Sequence, residues 1–358
     1  MSRPDPHFWR NRRVFVTGHT GFKGGWLALW LAQMGARVNG FALPPEHAAG
    51  IYTAAGVAGR ITPVNGDIRD LTPLRYCMQI TRPEVVFHLA AQALVRRAAR
   101  DPVGTYRSNV IGTAHVLEAA RLTPSVRAVV VVTSDKVYDN RDDGRAFSED
   151  DRLGGREPYG ASKAATEMVV EAFRHGLGED YPLAVATVRA GNVIGGGDWG
   201  EDRLVPDAMR AFAAGTALTV RNPGATRPWQ YVLDPLSGYM MLAEQLFNGH
   251  PAWRGAWNFG PGPGKAAPVA EIADELVRLW GEHGGATAGW QAAAQDGAPY
   301  EARFLGVDSS KAQSALGWYP RVPLDLALAE TVGWYAAQAR GSDIARLSAA
   351  MIAAYMEP

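Results

Sequence analysis

Five short runs in the first half of the chain are almost wholly apolar, at residues 14–17, 38–43, 85–91, 128–133 and 183–188. A strand exposed on one face alternates polar and apolar residues, whereas a strand covered on both faces reads as a continuous apolar run. Helical stretches lie between the runs, at 26–34, 110–120 and 161–173. Doubly buried strands separated by helices permit few arrangements. The one predicted is α/β, a doubly wound parallel sheet with right-handed crossovers.

Beyond about residue 190 the pattern changes. Glycine-rich loops, Gly195-Gly-Gly-Asp-Trp-Gly200 and Gly260-Pro-Gly-Pro-Gly264, alternate with short strands and with helices such as 268–280 and 324–337. This predicts a smaller C-terminal α/β substrate domain at the carboxyl edge of the sheet. A chain of 358 residues suits two domains, at about 150 residues each. The boundaries expected are 1–190 and 191–358, leaving room for a strand or helix near 229–259 to pack back on the first domain. The stretch 284–297, rich in Ala, Gly and Gln, is expected to be a mobile surface connection.

Charge and cysteine narrow the function. Lys+Arg and Asp+Glu both total 36, with no basic block. Nucleic-acid binding by phosphate neutralisation and attachment to anionic membranes are therefore not expected. The single cysteine, Cys77, excludes an intramolecular disulfide and a Cys-rich zinc site, so no metal is expected and a reducing cytoplasm fits. No apolar run reaches membrane-spanning length, and the first residues lack the apolar stretch of a signal peptide.

The string Val14-Phe-Val-Thr-Gly-His-Thr-Gly-Phe-Lys-Gly24 places glycines at 18, 21 and 24 between a strand and a helix. Such a turn lets backbone approach a pyrophosphate, which then sits on the helix N-terminus. Gly66-Asp67-Ile68 follows a further strand between the runs 38–43 and 85–91, the third in chain order, where the Asp67 carboxylate could accept an adenine amino group. His88-Leu-Ala-Ala-Gln92 ends the fourth, with small residues where a cofactor would pass. The second strand ends without an Asp, Glu or Arg placed for the ribose, so NAD and NADP both stay open at this point.

The sharpest local signal is Tyr159-Gly-Ala-Ser-Lys163. Positions i and i+4 share a helix face, and an ammonium beside a phenol lowers its pKa. Only five lysines occur, at 23, 136, 163, 265 and 311, so a Tyr–Lys pair at this spacing is not expected by chance even once. A chain that otherwise uses arginine keeps lysine where a proton can be given up near neutral pH. A second cluster, Thr133-Ser134-Asp135-Lys136, ends the fifth strand and offers a hydroxyl, an acid and a base where open sheets bind ligands.

Together with Leu153-Gly-Gly155, Arg189-Ala-Gly-Asn-Val-Ile-Gly-Gly-Gly-Asp-Trp199, Asp202-Arg-Leu204, Arg221-Asn-Pro223, Arg227-Pro-Trp-Gln230 and Leu316-Gly-Trp318, these strings span nearly the whole chain. They resemble the extended short-chain dehydrogenase/reductase family, and within it the NAD-dependent epimerases and dehydratases of nucleotide sugars. Lys136 is characteristic of the CDP-sugar branch. The resemblance departs at Val137, where Cys is common, and at Gly160, where Ser is usual.

The resemblance implies a Rossmann domain holding NAD through the turn residues Gly18, Thr20, Gly21, Phe22, Lys23 and Gly24. Asp67 and Ile68 would serve the adenine end, and Leu89, Ala90 and Ala91 the path along the fourth strand. Asn109, Thr133, Tyr159 and Lys163 would complete that site. Gln92, Asn192, Arg203, Leu204 and Arg227 would bind a nucleotide sugar, CDP-glucose. The implied reaction gives CDP-4-keto-6-deoxyglucose and water: Tyr159 takes the O4 proton, Lys163 steadies the phenolate and holds the ribose, and Ser134 bonds O4. Lys136 and Asp135 then serve as base and acid. As a base, Lys136 must lose its proton, so its pKa must fall by roughly 3 units. A homodimer or dimer of dimers through 110–120 and 161–173 is also implied. Other readings compete: a sugar epimerase, which does not need the 135–136 pair, a dehydratase for another nucleotide, and an NAD-responsive regulator, which would be expected to lose the tyrosine or lysine.

Overall fold

A computed structural model describes residues 3–176, 183–262, 265–284, 288–293 and 302–357. Its centre is a seven-stranded sheet built from β1 (Arg13–Thr17), β2 (Arg37–Ala42), β3 (Thr62–Asn65), β4 (Val85–His88), β5 (Ala128–Val132), β6 (Ala184–Arg189) and β7 (Gly255–Asn258). The order is β7-β6-β5-β4-β1-β2-β3, and every pairing is parallel. The strand order reverses beside β1, which opens a crevice at the carboxyl ends of β1 and β4.

Alternation divides each strand between two cores. Val14, Val16, Phe87, Val130 and Val132 face α1 (Phe22–Gln33) and its buried Trp26 and Trp30. Phe15, Val86, Val129 and Val131 face the opposite layer, with Leu74 of α2 (Leu71–Thr81), Val116 of α3 (Gly112–Arg121) and Val170 of α4 (Pro158–Gly176). Both neighbours of every central residue are therefore apolar, which is why the strands read as unbroken runs. Burying each such side chain contributes about 1.5–3 kcal/mol before entropy is counted.

Three local readings shift. The run 85–91 is strand only to His88, after which residues 89–91 leave the sheet. The helix over 110–120 begins as α3 at Gly112, entered through a π-helical turn at Arg107–Ile111. Within 284–297, Trp290–Ala292 pairs in parallel with Leu218–Val220, so that part is ordered by a strand; 285–287 and 294–297 lie outside the described residues.

Past residue 190 the chain builds α5 (Leu204–Ala213), α6 (Leu233–Phe247), α7 (Val269–Glu282), α8 (Leu324–Ala339) and α9 (Ile344–Met356). Nearly all of α6 is buried, and it packs on β5 and β6, while β7 adds the sheet's outer strand beside β6. No helix among the described residues is long and apolar enough to cross a membrane.

Candidate active site

The carboxyl ends of β4, β5 and β6, with the loops that follow β6, enclose a cleft of about 320 Å³, within the range of small-molecule sites. One wall is the turn between β1 and α1. Gly18 takes φ +75°, and a β-carbon there would fall 2.6 Å from the Ala90 nitrogen. A β-carbon at Gly24 would fall 2.0 Å from the Gly18 oxygen. Side chains are thus excluded on both sides of the turn. Gly21 caps α1 without a side-chain hydrogen bond to the first turn, leaving N–H donors for an anion. Thr20 donates to the Leu43 carbonyl at 2.9 Å. The His19 ring is fully buried over Gly40, and burial lowers its pKa to about 4. Phe22 and Lys23 line the cleft, and burial, helped by Arg203, lowers the Lys23 ammonium to about 8.

Asp67 and Ile68, beyond β3, do not line the cleft; the Asp67 carboxylate is engaged by Arg69, with Nε at 2.8 Å and Nη2 at 2.6 Å. Hydrogen bonding from Arg69 holds its pKa below the usual value, so it is an ionised acceptor shared with a guanidinium. Ile68 packs over Gly112.

At the centre, the Glu157 carboxylate accepts from the Tyr159 and Gly160 nitrogens, each at 2.7 Å, and fixes the first turn of α4. Tyr159 and Lys163, one turn apart, both line the cleft with Thr133, Ser134, Asp135 and Lys136. Ser134 Oγ donates to Asp135 Oδ1 at 3.1 Å, and the other oxygen of that buried carboxylate has no hydrogen-bond partner among the described residues.

One expectation is corrected here. Lys163 was to lower the Tyr159 pKa, yet burial pushes the phenol up to about 12, with only Ser134 and Arg203 pulling the other way. The physical reason is where the ammonium points: Lys163 Nζ donates to the Val132 carbonyl at 3.0 Å. Burial and the nearby Lys23 lower Lys163 itself to about 7, opposed by Glu167.

Beneath these groups lies a polar layer that the sequence reading missed. Glu167, one turn beyond Lys163, accepts from Thr133 Oγ1 at 2.5 Å, Thr187 Oγ1 at 2.6 Å, and Arg189 Nε and Nη2 at 2.9 Å each. Arg189 Nη1 also donates to the Tyr138 hydroxyl at 2.9 Å, which donates to Asn258 Oδ1 of β7 at 2.6 Å.

The substrate side is more polar. Arg203 lines the cleft paired with Asp198 at 2.8 Å, and Leu204 follows it at the start of α5. Arg227 also lines the cleft and donates to the Thr226 carbonyl at 3.0 Å. Asn192 lines it with φ +46°. Leu89 and Ala91 reach the cleft, and Ala90 abuts Gly18. Gln92 and Asn109 do not line it. Gln92 spends its amide on Leu94 and Thr105, while Asn109 clamps the Gln92 backbone and donates to Ser162. Both brace the loop after β4.

Residues 14–260 match the model of the NAD dependent epimerase/dehydratase family. The chain belongs to that family. It is 43% identical, over 98% of both chains, to CDP-glucose 4,6-dehydratase of Salmonella typhimurium. It is 30% identical to dTDP-glucose 4,6-dehydratase of Xanthomonas campestris pv. campestris, over 89% of this chain and 92% of that one. Among solved structures, MoeE5 in complex with UDP-glucose and NAD superimposes with a TM-score of 0.73 at 28% identity, covering 90% of this chain and 97% of that chain.

The cofactor of this epimerase/dehydratase family is NAD. The turn fits it: backbone packs where β-carbons at Gly18 and Gly24 would stand, so the turn closes tightly, and α1 begins at Gly21 without a side-chain cap, which leaves N–H donors for a phosphate.

Proposed function

We propose that the chain is a lyase that converts CDP-glucose to CDP-4-keto-6-deoxyglucose and water. The observation that carries this reading is the meeting of two pairs in one cleft, Tyr159 with Lys163 and Asp135 with Lys136. Oxidising and re-reducing C4, as an epimerase does, needs only the first pair. Removing water between C5 and C6 needs an acid and a base as well. The 43% identity to a CDP-glucose 4,6-dehydratase supports the same choice of reaction and nucleotide.

NAD, when bound, supplies a hydride acceptor for C4, a hydride donor for C6, and a positive ring beside the phenol. The turn residues from Gly18 to Gly24 would hold its pyrophosphate, and Lys163 would hold its ribose. Tyr159 takes the O4 proton, and Ser134 bonds the oxygen that becomes the ketone. Because C5 is then acidified by its neighbouring carbonyl, Lys136 takes the C5 proton. Asp135 gives a proton to the departing 6-hydroxyl, which leaves as water. Lys136 would then return its proton to C5, so the net loss from the sugar is water. Arg227 and Asn192 would hold the substrate diphosphate, with Arg203, paired with Asp198, and Leu204 near the nucleotide.

The chain also reads as a homodimer. Ile111 and Met168 expose apolar side chains on packed neighbouring elements, and light scattering at defined concentration measures the mass. The buried thiol of Cys77 suits the reducing cytoplasm.

The test is incubation with CDP-, dTDP-, UDP- and GDP-glucose. CDP-glucose should give a product one water lighter, with a C4-deuterium label carried to C6 and no NADH released. Stoichiometric NADH in solution, or a product of unchanged mass, would replace this reading with a dehydrogenase or an epimerase.

A further inference from the structure

The carboxylate of Glu167 is saturated, with both oxygens each accepting two hydrogen bonds from Thr133, Thr187 and Arg189. Its ion pair with Arg189 leaves each side chain only 4% exposed. A buried ion pair adds little net stability over apolar residues of the same volume, because desolvation of the two charges offsets their attraction. Stability alone therefore does not explain why this pair stands beneath a reacting cleft.

Its connections suggest what it does. Glu167 shares one face of α4 with Tyr159 and Lys163, at spacings of four residues. From there it grips Thr133, the first residue of the short segment that carries Ser134, Asp135 and Lys136. Arg189 grips the other end of that segment through the Tyr138 hydroxyl. Arg189 also stands two residues before Gly191, whose backbone lies against the Asp135 carboxylate. Both ends of the segment thus hang from one charge pair, which is anchored in the helix bearing the tyrosine and lysine. Tyr138 continues to Asn258 of β7, so the far end is held by the outer strand too.

We propose that the Glu167–Arg189 pair is a positioning device that registers the Ser134–Asp135–Lys136 segment against Tyr159 and Lys163, so that dehydration depends on it more than oxidation at C4 does. This rests on the dehydratase reading above. Oxidation draws Tyr159 and Lys163 from the helix itself and takes from the segment only the Ser134 bond to O4, so it depends on the segment less than dehydration does. Dehydration requires groups from both elements to meet on one sugar, and a displacement of about 1 Å costs about 10²-fold in rate.

The experiment compares wild type, Glu167→Gln and Tyr138→Phe, each purified as the full chain and loaded with NAD. Absorbance of reduced cofactor on the enzyme reports oxidation, and product mass reports dehydration. Wild type should form product without a lasting absorbance. Glu167→Gln should still reduce the cofactor while product formation falls by about 10²-fold, leaving a persistent absorbance after substrate is added. Should Glu167→Gln fail to fold, as judged by its melting transition, Tyr138→Phe decides. Its ring stays stacked on Phe147, at 4.9 Å between centroids, and only the hydroxyl link is lost. It should show the same persistent absorbance at a milder loss of product. Equal losses in both half-reactions, or an unchanged partition in both variants, would overturn the proposal. A wild type that makes no 4-keto-6-deoxy product would instead overturn the dehydratase reading beneath it.

Discussion

The carboxylate of Asp135 lies directly against the backbone of Gly191: a β-carbon built on that glycine would come within 1.7 Å of Oδ2. The two residues leave the sheet from neighbouring strands, β5 and β6, and the missing side chain of one makes room for the acid of the other. Asp135 has little freedom to yield, since its Oδ1 is held by Ser134 at 3.1 Å.

Gly191→Ala should therefore push the carboxylate out of place while leaving Tyr159, Lys163 and the cofactor turn intact. Dehydration should fall by about 10²-fold, with C4 oxidation retained. Product mass and reduced-cofactor absorbance, followed together, check this. A wild-type rate of product formation would mean that the precise position of Asp135 does not matter.

Tyr159→Phe keeps the ring and its packing but removes the ionisable oxygen. Loss of a general base costs about 10²–10⁴-fold, and here the first step is the one lost, so no reduced cofactor should form. The variant should melt close to wild type. Near-normal turnover would sink the role given to the phenol.

Lys136→Met keeps the long apolar stem and deletes the amine. Cofactor reduction should occur and then stall, with solvent deuterium no longer entering C5. Lys136→Arg should behave almost as badly, because guanidinium cannot release its proton at working pH. Dehydration by Lys136→Arg at the wild-type rate would place the C5 base elsewhere.

A stability prediction comes from a site far from the cleft. The Trp9 indole and the Asp5 nitrogen donate to Glu244 Oε1 at 2.6 and 2.8 Å, and burial pushes this carboxyl up from 4.5 to about 7. The folded state therefore holds a proton that the unfolded chain has released. The stabilisation is fully present below about pH 4.5 and is lost as pH rises through about 7. Asp234, raised by burial to about 6, has the same sign. The difference in melting temperature between wild type and Glu244→Gln should shift against wild type from pH 5 to pH 8. A difference that is flat across this window would show that Glu244 does not titrate there.

β1, β2, β4, β5 and β6 were legible because most of their residues are buried on both sides. Val129 and Val130 face opposite cores, and neither position tolerates a polar side chain. β7 was not, since Gly255-Ala-Trp-Asn258 is too short to read as a run and starts on a glycine at φ +99°. Tyr159 and Lys163 were legible because helical spacing alone brings them together. Glu167 escaped notice for the converse reason: a glutamate one turn beyond a lysine reads as a solvated surface pair. Its true partners, Thr133, Thr187 and Arg189, arrive from two strands distant in sequence. Gln92 and Asn109 carry groups that suit a ligand equally well, and only the fold shows their amides spent on the loop they brace.

The placement of β7 has a consequence for how the molecule is made. β6 pairs on its outer side with a strand that the ribosome adds only after residues 190–254. At about 5–20 residues per second, that edge stands open for roughly 3–13 s. Through that interval Ala184–Arg189, buried along its whole length in the finished protein, is an unpaired apolar template for any neighbouring chain. A nascent chain paused in this window, or a fragment cut at residue 190, is thus the aggregation-prone form of the protein, and chaperone demand during synthesis should peak there.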